Sequence, residues 1–285
     1  MTQNSELRTS RTSLYELVLC EMVAAAREAG RLAQRYFEDR LALDVGVKGP
    51  ADFVSRADEE AEELIRASLL TCHPDWGFVG EEFPSAVGRD PDHVWLVDPI
   101  DGTTNFLAGM PYTISIALRH RDQTVCGALY NPVADEMFTA IRGEGAFLNR
   151  RRLAVSTLTD HRRFVVGTGI PTSNLEFHEG YYGRLEAVRE PIGAVRILGS
   201  CANSLAHVAC GRLDGYFEGP TGLIDFAVGV LLVQEAGGVV TDFWGRGAEH
   251  WERNATLVAG SASAHAFLLE RTRTTPQSGS QRQMP

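Results

Sequence analysis

Asp98 and Asp101, three residues apart, close an apolar run that begins at Val94, and Gly102, Thr103 and Thr104 follow immediately. Val94-Trp95-Leu96-Val97 reads as a buried strand, and strand ends in α/β sheets open onto crevices where ligands bind. Two acids on one tight turn repel each other unless a cation lies between them. Hard divalent cations such as Mg²⁺ prefer such oxygen ligands. A bare Asp-Pro-x-Asp-Gly is also a good turn, because Asp and Gly favour turns and Pro99 fixes a backbone angle. The motif alone leaves both readings open.

Further acids stand at the ends of other apolar runs. Trp76-Gly77-Phe78-Val79-Gly80 reads as a short strand running into Glu81-Glu82. Neighbouring strand residues point to opposite faces, so one of this pair can face a metal while the other faces solvent. Asp225 stands alone at the start of an apolar helical stretch that ends at Glu235-Ala236-Gly237-Gly238. An Asp in a first helical turn equally caps the helix and favours its dipole.

The elements that must position these acids mix helix and strand. A helix is expected from about Leu14 to Phe37, with Leu14, Leu17, Val18, Met22, Ala25, Ala29, Leu32 and Phe37 at steps of three and four. A strand over 41–47 leads to Lys48-Gly49, and a second helix starts near Ser55, which has capping-box spacing with Asp58. Residues 112–118, 125–130 and 137–141 alternate or run apolar between turns, as in a largely antiparallel sheet. Strands are expected at 165–169, 195–198, 216–218, 239–243 and 257–259, with helices over 175–188, 201–209, 225–236 and 262–269. This pattern alone gives α/β or α+β.

The chain has 285 residues and a formal net charge of −10, with no long basic run, which argues against nonspecific nucleic-acid binding as the main role. Its size suits one large domain or two lobes around a shared core. Cys20, Cys72, Cys126, Cys201 and Cys210 are odd in number, scattered and without a C-x-x-C pair. A disulfide framework is therefore not expected, and a reducing, cytoplasmic location is. No apolar run is long enough to span a bilayer, and residues 1–13 lack a signal-peptide core. Residues 1–13 and 271–285, rich in Ser, Thr, Arg, Gln and Pro, are expected to be disordered tails.

Gly80-Glu81-Glu82, the D-P-I-D-G-T-T-N-F run from Asp98 to Phe106, and Asp225 with its helix to Gly238 come in the order and approximate spacing of a known family. Over roughly residues 14–270 the chain resembles the inositol monophosphatase family of Mg²⁺-dependent, lithium-sensitive phosphatases. The resemblance implies a layered α-β-α-β-α sandwich with lobes of about 14–150 and 151–270. It implies two or three Mg²⁺ ions per site: Glu81, Asp98 and the carbonyl of Ile100 on one, and Asp98, Asp101 and Asp225 on a second. Thr103 with Glu81 would activate the attacking water, and the amides of Gly102 and Thr103 would lie against the phosphate. Asp58 resembles the acid behind an extra, weakly held ion, although it serves equally as a helix cap. Lys48 is a nearby charge in that network or a surface lysine. The family usually has Trp where this chain has Ile224, and a small residue where it has Val228, which bears on the pocket wall and removes no ligand.

For the substrate, the resemblance implies a small polyol or cyclitol phosphate, inositol monophosphate first. Glu218 precedes Asp225 by seven residues, the offset at which inositol phosphatases place an acceptor for ring hydroxyls. Such charged hydrogen bonds are stronger than neutral ones. Ser200 and Cys201, the latter where Ala is typical, match positions that line the ring; Asp225 would also face the substrate. A carboxylate at 218 also suits an amine, so histidinol phosphate stays open. Haloacid-dehalogenase-like phosphatases carry acids two residues apart, so the spacing of Asp98 and Asp101 argues against an aspartyl-phosphate. No C-x5-R loop is present, and His207, among apolar neighbours, reads as structural. A homodimer is expected from the resemblance. Some bacterial relatives bind transcription machinery, which leaves an additional non-enzymatic role as an alternative.

Overall fold

A computed structural model describes residues 2–39, 45–49, 52–170, 175–247 and 254–273. The chain opens with α1 (Thr2–Glu38), the strand pair β1 (Val45–Gly49) and β2 (Asp52–Ser55), and α2 (Arg56–Cys72). Then come β3 (Trp76–Gly80), β4 (Asp90–Asp101), the short helix α3 (Thr103–Ala108), β5 (Thr113–His120), β6 (Gln123–Asn131), β7 (Glu136–Ile141), β8 (Gly145–Leu148) and β9 (Arg151–Arg152). The remainder is β10 (Val165–Thr168), α4 (Leu175–Arg189), β11 (Ala194–Arg196), α5 (Cys201–Ala209), β12 (Gly215–Gly222), α6 (Leu223–Glu235), β13 (Val239–Thr241), β14 (Asn254–Gly260) and α7 (Ala262–Arg273).

Strands β3 to β9 pair in chain order into a seven-stranded sheet. It is antiparallel except for the parallel pair β3–β4. A second, five-stranded sheet runs β11-β10-β12-β14-β13. On one face of the large sheet, Trp95, Val97, Ile114, Ile116 and Ala128 pack against Val18, Met22, Ala25 and Ala29 of α1 and Ala61 and Ile65 of α2. On the other face, Leu96, Ala117, Leu129 and Phe138 meet α5 and α6, which Tyr216, Leu257 and Ala259 of the small sheet cover in turn. The outer face of the small sheet, with Val166, Phe217 and Val258, packs on Tyr181 of α4 and Leu268 of α7. The result is the α-β-α-β-α sandwich that the resemblance implied.

Several elements differ from the sequence reading. Helical backbone of α1 starts at Thr2 rather than near Leu14, over residues read as a tail; no Gly or Pro interrupts that stretch. The buried stripe of α1 is Val18, Met22, Ala25, Ala26, Ala29 and Ala33, while Leu14 and Leu17 are exposed. Small residues prevail in that stripe because the helix lies close to the sheet: a Cβ on Gly30 would sit 2.7 Å from the Tyr130 ring. The β8–β9 hairpin was not foreseen, because it is too short to show a period. Residues 41–44 of the expected first strand lie outside the described residues, as do 274–285 of the expected C-terminal tail.

Candidate active site

Asp98 and Asp101 face the same site because β4 carries a bulge between them. In a regular strand, residues three apart point to opposite faces. Here Asp98 pairs with Ser115 and Asp101 with Thr113, so three steps on β4 match two on β5. Pro99, without an N–H, cannot continue a ladder, and bulges are where such residues are tolerated. The Ile100 amide turns inward and donates to Asp98 Oδ1 at 3.0 Å. Both acids are buried, at 3% and 6% exposure.

Glu81 reaches the same place along the neighbouring strand. Parallel pairing sets Gly80 against Val97, which puts Glu81 beside Asp98. The two carboxyl groups are in hydrogen-bonding contact. Glu81 is exposed, at the open side of the cluster. Asp225 comes from the first turn of α6, and its Oδ2 accepts from Thr221 Oγ1 and the Gly222 amide, each at 3.0 Å. It therefore does cap its helix, and it does so while facing Asp98 and Asp101.

Ser200 and Cys201 enter from the start of α5. Ser200 Oγ accepts from the Asn203 amide at 3.1 Å, the N-cap bond, and donates to Asp101 Oδ2. Thr113 Oγ1 donates to the same oxygen at 2.9 Å. Asn105 ties the two segments together by donating to the Leu198 carbonyl at 2.7 Å and the Pro111 carbonyl at 3.1 Å. Gly102 is left-handed at φ 93°, and a Cβ there would be 3.3 Å from the Gly199 carbonyl. Only glycine fits that turn comfortably. Thr103 Oγ1 donates towards the Ile100 carbonyl at 3.2 Å and Asp58 Oδ1 at 3.3 Å.

Asp58 is fully buried, caps α2 and turns its other oxygen to Thr103 of the cluster. Its Oδ2 takes the Ser55 amide and hydroxyl at 2.9 and 2.6 Å, closing the capping box of α2, while Oδ1 faces Thr103. The side chain of Lys48 lies outside the described residues.

Glu218, on β12, receives hydrogen bonds from the Tyr216 hydroxyl and the Cys201 thiol. Gly169 leaves room for it, since a Cβ there would lie 1.7 Å from Oε1. His207 has its pKa lowered by burial and then by Arg212, whose Nη1 is 3.5 Å from its ring. That is a packed helix residue. Val228 is fully buried, and it fits because β6 has Gly127 opposite: a Cβ there would be 3.1 Å from Val228 Cγ1. Ile224 is half-buried.

The electrostatics of the cluster run one way. Burial pushes Asp98 well above the usual carboxylate range, and Glu81, Asp101 and Asp225 push it further. Burial raises Asp101 to about 7, against the Ser200 and Thr113 hydrogen bonds and with help from Asp225 and Glu218. Asp225 and Glu218 are raised chiefly by burial, and Asp58 is raised to about 6 for the same reason. Cys201 is raised well above its usual value by burial, then by Glu218, Asp225 and Asp101, which keeps the thiol neutral and no nucleophile. Among the described residues, no three His, Cys, Asp or Glu side chains close into a ready-made ligand group. The acids form an open cluster.

All ten sequence-predicted residues thus meet at one place: Glu81, Asp98, Ile100, Asp101, Gly102, Thr103, Ser200, Cys201, Glu218 and Asp225. The sequence reading missed Thr113, Thr221, Tyr216 and Asn105 as their supports. Tyr216 had a signal, since strand period two sets it on the face of Glu218.

Fold and site together define a layered α/β protein with an acid centre between its two sheets. A sequence model of the inositol monophosphatase family matches residues 14–277. The chain belongs to that family. It is 43% identical to the inositol-1-monophosphatase of Mesorhizobium japonicum, over 87% of this chain and 93% of that protein. It is 37% identical to the Nus factor SuhB of Escherichia coli K12, over 88% and 94%. Among solved structures, the extragenic suppressor protein suhB of Bartonella henselae superposes with a TM-score of 0.85 at 40% identity, over 90% of this chain and 99% of that one. The inositol monophosphatase of Anabaena gives 0.80 at 29% identity, over 92% and 97%.

Proposed function

We propose that this protein is a Mg²⁺-dependent phosphomonoesterase acting on a small polyol or cyclitol phosphate, inositol monophosphate foremost. The observation that carries this is the convergence of Glu81, Asp98, Asp101 and Asp225 from three separate segments, with the protonation of Asp98 and Asp101 pushed upward by burial and by other carboxylates. Acids assembled against their own repulsion suit a cationic occupant. The donors are all oxygens, and the cluster is open at Glu81. That suits Mg²⁺, a hard cation that takes oxygen ligands and completes its shell with waters or phosphate oxygens.

In this reading, Glu81, Asp98 and the Ile100 carbonyl would hold one ion, Asp98, Asp101 and Asp225 a second, and Asp58 would back a weaker third. Bound Mg²⁺ supplies charge to the phosphoryl oxygens and the leaving group, and makes a water acidic enough to attack near neutral pH. Thr103 and Glu81 would orient the attacking water, and Glu81 would take its proton. The Gly102 and Thr103 amides face the phosphate, Ser200 and Cys201 line the ring, and Glu218 accepts from ring hydroxyls. A homodimer, lithium sensitivity and a cytoplasmic location complete the reading. All five cysteines are free. No helix among the described residues is long and apolar enough to cross a membrane.

Phosphate release from inositol, sugar and histidinol phosphates, with Mg²⁺ and with chelator, tests this. Release from inositol monophosphate that chelator abolishes is expected; no release from any ester would sink it. The relatives named Nus factor SuhB favour one second reading, an additional role with transcription machinery. Pull-down of purified transcription elongation components by an Asp98→Asn variant tests that role separately from turnover.

A further inference from the structure

Glu62, a carboxylate outside the acid cluster, is fully buried on α2. Its oxygens receive three consecutive backbone amides. The Glu82 amide donates to Oε2 at 2.7 Å and the Phe83 amide to Oε1 at 3.2 Å, and the Glu81 amide joins them. Gly80 is shaped to this contact, because a Cβ there would lie 2.0 Å from Glu62 Oε1. A buried carboxylate is costly unless fully hydrogen-bonded, so packing alone gives no reason for one here.

Beyond Gly80 the chain leaves β3 and returns to it through the Phe78–Ala86 bridge, with bonds of 2.9 and 2.8 Å. Glu81, the first residue past the strand, is exposed. Residues four apart share a helix face, and α2 uses three such positions. Asp58 faces Thr103 at 3.3 Å, Glu62 holds the amides of residues 81–83, and Arg66 donates to the Pro84 carbonyl at 3.4 Å.

We propose that Glu62 is a positioning residue for the reaction: it fixes the 81–83 turn through its amides and so holds Glu81 against Asp98 and within reach of the Thr103 side of the site. α2 then holds both halves of the water-activating pair, Thr103 through Asp58 and Glu81 through Glu62. The proposal rests on the reading of Glu81 as a water-activating residue.

The test is a double-mutant cycle on purified full-length protein, with inositol monophosphate and saturating Mg²⁺. Glu62→Gln keeps the length of the side chain but opposes its amide N–H to one of the backbone donors. It should lower kcat roughly tenfold to a hundredfold, the range that an ångström of misplacement produces, with KM changed by less than about twofold. In a Glu81→Gln background the same change should cost nothing further, because the group being positioned is gone. Amides 81–83 should exchange hydrogen faster in Glu62→Gln while those of β4 do not. Should Glu62→Gln fail to fold, Glu62→Asp keeps the charge but not the reach, and should lose kcat in the same non-additive way. Wild-type kcat in a folded Glu62 variant, or an equal fold-loss in the Glu81→Gln background, would overturn the proposal. Full turnover in Glu81→Gln alone would instead overturn the reading of Glu81 on which it rests.

Discussion

Neutralising Asp101 should make the metal-free protein more stable and inactive at once. Its carboxyl titrates near 7 in the folded chain against an ordinary value of 3.8. A group raised on folding contributes stability that is fully present below the unfolded value and is lost as pH rises through the folded one. The window therefore runs from about pH 4 to about 7. At about 1.4 kcal/mol per pH unit, the ceiling is about 4 kcal/mol for this side chain, or roughly 8–16 °C in Tm for a domain of this size. Asp101→Asn stays neutral throughout, and its carbonyl oxygen can still accept both Thr113 and Ser200. The assay is thermal unfolding of both proteins in chelator at half-unit steps from pH 5 to 8. Exposed or half-exposed acids held low, such as Asp160 and Asp90, have finished titrating below that range. Wild-type Tm should fall across the series, and the variant should fall less and end several degrees higher. Mg²⁺ should then raise the wild type, by about 2.7 kcal/mol at a hundredfold excess over its Kd, and the variant much less. Parallel curves for the two proteins in chelator would refute the claim that burial disfavours the charged form of Asp101 in the folded chain.

Three other predictions concern turnover. Asp98→Asn and Asp225→Asn should each nearly abolish Mg²⁺-dependent phosphate release while circular dichroism shows an intact fold; near-wild-type rates at saturating Mg²⁺ would disprove the ligand assignment. Thr103→Ala should lower kcat far more than it raises KM, since its hydroxyl is assigned to the attacking water, an interaction expressed mainly in the transition state. Unchanged kcat with weakened KM would make it a substrate contact. Glu218→Gln should reduce kcat/KM for inositol monophosphate by about tenfold or more, from charged hydrogen bonds worth roughly 1.5–3 kcal/mol, and spare a small alkyl phosphate. Equal losses on both would point to damage at Asp225, and a loss confined to histidinol phosphate would move the substrate assignment to that ester.

How much of this could be read from the chain depends on sequence separation. The acids at 81, 98 and 101 end apolar runs and Asp225 begins one, a local pattern that marks all four. The bond from Ser200 to Asp101 joins residues that nothing local connects, and the loop geometry that makes it is set by Asn105 and two left-handed glycines, Gly102 and Gly199. Glu62 was hidden for a different reason. It stands among Glu59, Glu60 and Glu63, and only its phase, four residues after Asp58 on the face of Ala61 and Ile65, separates it from solvated neighbours. Leu17 failed the other way: an apolar residue on a plausible stripe turned out exposed, because the alanines, not the larger side chains, mark the close face of α1.

The D-P-I-D-G motif carries one more piece of information in its spacing. Acids two or four apart on a regular strand share a face without help, and acids three apart do not. Spacing of three therefore demands an extra residue in the strand, and Pro99 is the residue type that supplies a reason for one, by removing the ladder bond that would hold the strand regular. The register shift between Asp98 and Asp101 is that extra residue. It also turns the Ile100 carbonyl out of the ladder to the side where Thr103 meets it. A strand break, two converging carboxylates and a main-chain oxygen beside them are thus one structural event. Without the bulge, Asp101 would face the α1–α2 side of the sheet, away from Ser200 and Asp225, and the open oxygen cluster would not form.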